Sequence, residues 1–185
     1  MSRFWGIFLI ALFILLFVLQ RSVTSASAAN TATSLDERIA RSYSGVADLQ
    51  VYCSDSQEDW QAVTAANGYT TPWIDGFTYP GNPKRKVVYI SPWMCNALHG
   101  DIGDDLFGPA LDVLLHESLH WVYGKNEGTT ECASLRELPS ALLRYFVTDY
   151  YDPWAWQFIL DNPVFQAHLR NNQRPPEYRD CTRLK

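Results

Sequence analysis

Hydrophobic and polar positions split this chain into an apolar leader and a folded part that reads as strands followed by helices. Phe4 to Leu19 is an unbroken run of sixteen apolar or small residues after Met1-Ser2-Arg3, closed by Gln20-Arg21. Beyond it, residues 36–43 carry a weak helical period, and residues 47–53 (ADLQVYC) alternate apolar and polar as a strand does. Residues 56–65 predict a short helix, with Ser56 as cap and Asp59 three positions on. Residues 69–78 and 86–91 predict two strands joined through Pro80-Gly81-Asn82-Pro83. Residues 92–98 lead through a loop rich in Asp and Gly (100–105) to a long helix. Gly108-Pro109 marks its start and Gly124 its stop, and Leu111, Leu114, Leu115, Leu119 and Val122 form its apolar face. Leu135, Leu138, Leu142, Leu143 and Phe146 continue the helical period in a second helix. The order predicts an α+β domain: a small, mostly antiparallel sheet packed on two helices.

Chemistry concentrates on the first long helix. His116-Glu117-Ser118-Leu119-His120 sets two imidazoles at i and i+4, one above the other, where both reach a single ion. Glu117 adjoins the first His, placed to act on a water without being a ligand. Asp112 shares the stripe of the two His. Zinc in a catalytic site takes three protein ligands and keeps a fourth position for water. Downstream, Glu127 and Glu131 are the candidates for the third. A cap at Thr129 or Thr130 would put Glu131 in the first turn of the second helix and aim it at the metal. The reading favours Glu131 as ligand and leaves Glu127 as alternative ligand or as acceptor for a His ring N–H. Glu131 could instead only complement the positive helix N-terminus. His99, His168, Tyr123 and Tyr178 are each candidates to stabilise an oxyanion, and the sequence does not choose among them.

Charge and cysteines narrow the setting. Ala26-Ser27-Ala28 fits a signal-peptidase site, so residues 1–28 predict a cleaved signal peptide or, alternatively, an uncleaved membrane anchor. Residues 29–45 read as a spacer with a short helix, and 46–185 as one domain, expected to be a monomer. Without residues 1–28, Arg3 and Arg21 are lost and the formal charge moves from −5 to −7. That balance argues against nucleic acid and leaves membrane contact to the N-terminal segment alone. Lys84-Arg85-Lys86 reads as solvated turn. Cys53, Cys95, Cys132 and Cys181 are an even set in an exported chain and predict two disulfides, with three pairings open. Tyr145, Phe146, Tyr150, Tyr151, Trp154, Trp156 and Phe158 form an aromatic cluster, read as core and cover for the second helix.

A His-Glu-x-x-His helix followed by a Glu on the next helix resembles the gluzincin metallopeptidases, in their compact minigluzincin-like form. The Thr130-Glu131-Cys132-Ala133 and Pro176-Glu177-Tyr178-Arg179-Asp180-Cys181 runs are similar to small secreted actinobacterial proteins. The resemblance covers about residues 74–181 and is specific only in the metal motif. It implies a zincin-like fold, zinc on His116, His120 and Glu131, Glu117 as general base, and a peptide or protein substrate that pairs with a sheet edge, for which residues 86–91 are the candidate. It also implies the pairing Cys53–Cys95 and Cys132–Cys181. The spacer between His120 and Glu131 is shorter than in many gluzincins, and no Tyr or His electrophile stands in a recognisable place. The alternative to a peptidase is a non-catalytic zinc-binding protein of the cell envelope, or a module working through its aromatic tail.

Overall fold

The leucines at three- and four-residue spacing bury one helix so fully that the rest of the chain is arranged around it. The computed structural model describes residues 33–70, 74–100, 104–146, 157, 159, 161–171 and 181. The expectations for residues 1–28, for Tyr150, Tyr151, Trp154, Trp156 and Phe158, and for Tyr178 lie outside that set. In chain order the described elements are α1 (Leu35–Ser44), β1 (Gln50–Cys53), α2 (Gln57–Ala66), β2 (Gly76–Thr78), β3 (Val87–Ile90), α3 (Pro92–Leu98), α4 (Phe107–Tyr123), α5 (Glu127–Tyr145) and α6 (Pro163–Asn171). The class is α+β, with six helices and one three-stranded sheet among the described residues.

α4 is the central element and packs against α1, α3, α5, α6, β2 and β3. From Phe107 to His120 every residue is buried except Glu117, which is half-exposed. A helix apolar nearly all round belongs in a core, so its one open position marks where the core ends. The apolar face closes earlier than predicted: Val122, in the last turn, is 52% exposed. Gly124 ends α4 with φ +66°, a conformation that suits glycine, and donates its N–H to the His120 carbonyl. At the other end, Gly108 lets Ile159, and Phe165 of α6, come close, since a Cβ there would lie 2.7 Å from Ile159 Cγ2 and 3.3 Å from Phe165 Cδ2.

The sheet order is β1-β3-β2, with β1 parallel and β2 antiparallel to β3. It is therefore mixed, not mostly antiparallel as predicted. α2 and β2 lie between β1 and β3 in the chain and bring it back to run in the same direction, whereas β2 and β3 are joined by a short turn. The expectation that residues 86–91 form the edge is also corrected: β3 is central, and β2 is the edge beside α4. α1 buries Ile39 and Ala40 in the same core, so the compact unit begins at Leu35. Cys53 pairs with Cys95 and Cys132 with Cys181, as the resemblance implies. Two disulfides fit an oxidising, extracytoplasmic setting. No helix among the described residues is long and apolar enough to cross a membrane.

Candidate metal centre

His116 and His120 project from the C-terminal half of α4 with ring centroids 4.7 Å apart, and both Nε2 atoms turn toward one carboxylate. Glu127 Oε2 lies 3.2 Å from His116 Nε2, and Glu127 Oε1 lies 3.4 Å from His120 Nε2. His116, His120 and Glu127 thus form a group whose ligand atoms lie within 4.8 Å of one another, a spacing able to hold a metal ion. The opposite ring nitrogens face other partners. His120 Nδ1 is 2.6 Å from the Gly124 carbonyl, and His116 Nδ1 is 3.1 Å from Glu131 Oε2. The carbonyl holds a proton on His120 Nδ1, so that a neutral ring presents its Nε2 lone pair to an ion and a charged ring donates Nε2–H to Glu127. Glu131, buried at 7% exposure, faces the back of His116 and not the Nε2 side.

The helix cap explains why Glu127 stands where it does. Asn126, not Thr129 or Thr130, caps α5: its side chain accepts the Thr129 N–H at 3.1 Å. The helix therefore opens at Glu127, and Glu131 falls one turn later. Hydrogen bonds from His116 and then His120 hold the Glu127 carboxyl far below the ordinary carboxylate range, against the burial that would raise it. Two imidazoles and one carboxylate form a donor set suited to a divalent metal ion. A carbonyl stands behind His120 and a carboxylate behind His116, so the residues present fit such an ion.

A cleft of about 630 Å³ opens beside this group, lined by Glu117, His120, Lys125 and Glu127 on one side. The other side is β2, flanked by Tyr69 and Tyr79. β2 is held against α4 by Trp121, whose Nε1–H donates to Thr78 Oγ1 at 3.0 Å. Gly76 makes the closest approach: a Cβ there would lie 2.8 Å from Val113 Cγ1 and 3.1 Å from Glu117 Cγ. Tyr69 packs on Phe77 with centroids 4.8 Å apart, and Phe77 stacks on Tyr89 at 4.6 Å. Burial, and then the charges of Tyr79, Glu117 and Glu127, push the Tyr69 phenol up, so it stays a proton donor.

Of the residues named as oxyanion candidates, His99 pairs with Asp36 at 2.6 Å and His168 with Asp112 at 3.1 Å. Neither lines the cleft, nor does Tyr123. Tyr69 was missed because it precedes the metal motif by 47 positions, in a segment read only as strand. Its sole sequence signal is an aromatic beside the turn that enters β2. Comparison with known proteins found no matching family model, no matching curated protein and no matching solved structure. The functional reading therefore rests on the geometry of the cleft and the chemistry of its residues.

Proposed function

We propose that this protein is an exported zinc metallopeptidase of zincin-like architecture. One observation carries the reading: two imidazole Nε2 atoms and the Glu127 carboxylate converge at the wall of a cleft that also holds Glu117. His116, His120 and Glu127 would hold the ion, while Glu131 fixes the His116 ring from behind. A bound zinc would supply Lewis-acid polarisation and lower the pKa of a water. Glu117 would take the proton of an attacking water, whose oxygen adds to the scissile carbonyl, and pass it to the leaving amine as the C–N bond breaks. Tyr69 donates a hydrogen bond toward the developing oxyanion from the opposite wall. β2, as the cleft-side edge, offers backbone groups to an extended peptide by strand addition.

The test is metal content and peptide cleavage by the purified chain, screened against a quenched peptide library. About one zinc per chain is expected, with cleavage abolished and zinc retained in Glu117→Gln. Full cleavage by Glu117→Gln sinks the mechanism, and a folded chain without zinc sinks the site. Zinc with no cleavage of any peptide assigns the chain to the non-catalytic zinc-binding class.

A further inference from the structure

A second set of metal-ligating side chains meets outside the cleft. Asp36 comes from the first turn of α1, Cys53 from the last position of β1, Cys95 from α3, and His99 from the cap of α3. Cys95 and His99 stand four positions apart and share one helix face. The four ligand atoms lie within 4.8 Å of one another, and Cys53 and Cys95 are disulfide-bonded. An uncharged disulfide calls for neither a carboxylate nor an imidazole beside it. Yet Asp36 is buried at 3% exposure, with Oδ2 2.6 Å from His99 Nε2 and Oδ1 without a hydrogen-bond partner. An acid in a first turn complements the helix dipole, but that effect does not require burial or leave an oxygen unsatisfied, which is costly. Two sulfurs, an imidazole and a buried carboxylate are together a tetrahedral Cys₂HisAsp set of the zinc class. His99, at 56% side-chain exposure, gives an ion a way in.

We propose that the dithiol form of this chain binds a zinc-class divalent cation through Cys53, Cys95, His99 and Asp36, so that metal and disulfide are alternative states of one site. On uptake the two thiols release two protons to solvent and both thiolates bind the ion. The sulfurs separate to roughly 3.8 Å, the edge of a tetrahedron with bonds of about 2.3 Å. Oxidation reverses this through exchange with a small-molecule disulfide. The Cys53–Cys95 bond forms as the two thiolates lose two electrons. The small disulfide gains those electrons and takes two protons from solvent to leave as two thiols, and the cation is released. With four protein ligands the site is closed, a clip joining α1, β1 and α3 without an open position for catalysis.

The test uses the full chain carrying His116→Ala and His120→Ala, which silences the cleft. It is reduced with a dithiol, freed of reductant and titrated with Co²⁺, followed by thiolate-to-cobalt charge-transfer absorption. The cleft site has no sulfur ligand, so the signal comes from a reduced cysteine pair, and Cys53→Ser and Cys132→Ser tell the two pairs apart. About one thiolate-bound cobalt per chain is expected, displaced by Zn²⁺, absent from the oxidised chain and lost when a small-molecule disulfide is added. Cys53→Ser should abolish it, Asp36→Asn and His99→Ala should weaken binding at least about tenfold, and Cys132→Ser should leave it unchanged. No charge-transfer band, or one that survives Cys53→Ser or ignores both Asp36 and His99, overturns the proposal. Far-UV circular dichroism runs alongside: helix regained on adding cobalt supports the site, and a reduced chain that stays unfolded with cobalt overturns it.

Discussion

Glu127 and Glu131 sit one helical turn apart on α5, and the turn separates the Nε2 side of the two imidazoles from the Nδ1 side. The difference was decided by a three-residue shift in where the helix starts. Asn126 and Thr129/Thr130 are all good caps by type, and only the backbone path out of Gly124 shows which is used. The roles separate by measurement. Glu127→Ala should remove zinc from the cleft site, while Glu131→Gln should weaken it about 10- to 100-fold by loosening the His116 ring. Zinc affinity titrations of both variants check this, and loss in Glu131→Gln with retention in Glu127→Ala would exchange the two assignments. The motif His116-Glu117-x-x-His120 needed no structure, because helical spacing alone puts both imidazoles on one face.

Among the elements, α4, α5 and α6 are joined behind the site by a buried polar cluster. Asp112 on α4 accepts a hydrogen bond from Ser134 Oγ of α5 at 2.8 Å and faces His168 Nε2 of α6 at 3.1 Å. Burial works to lower the His168 pKa, but the Asp112 hydrogen bond and charge, with Asp75 and Glu131 adding to them, raise it overall. A raised folded-state pKa means the charged pair stabilises fully below the unfolded value of about 6.5 and is lost as pH rises through the folded value. The stability advantage of the native chain over His168→Gln, from urea unfolding, should therefore be larger at about pH 6 than at about pH 9. Equal advantage at both would remove the charge from the account. β2 gives a second element-scale prediction. In Gly76→Ala the added methyl meets Val113 and Glu117, so the edge strand must move off α4. Cleavage should fall while zinc content holds, a split read by activity and metal assays on one sample. Unchanged activity would mean that the strand's approach is unimportant.

For the molecule as a whole, two disulfides spanning 42 and 49 residues close one loop before α4 and one after it in the chain. In the chain-entropy description each constrains the unfolded chain by about 4 kcal/mol. Cys132 adjoins Glu131 on α5, so its bridge ties Cys181 to the turn that carries Glu131. The paired Cys132→Ser and Cys181→Ser variant should lose about 2–4 kcal/mol in denaturant unfolding while binding zinc at the same stoichiometry. Loss of zinc with the fold intact would make the bridge part of the site and not only of its support.

The one-dimensional pattern was enough for α4 and its Gly124 stop, the Ser56 cap, the three strands and the even cysteine set. Each is written in periodicity or in residues with a single strong backbone preference. Strand direction was not, since alternation is the same whichever way a strand runs. Strand order was equally unwritten: the resemblance alone made residues 86–91 the edge, whereas β1 and β2 flank β3. Long-range meetings were equally silent: Tyr69 with the cleft, His168 with Asp112 across 56 positions, and Asp36 with His99 across 63. Local sequence determines which residues share a helix face, because rise and twist are fixed. Only the packing of helices and sheet against one another decides which faces meet, and so which carboxylate stands before the two imidazoles.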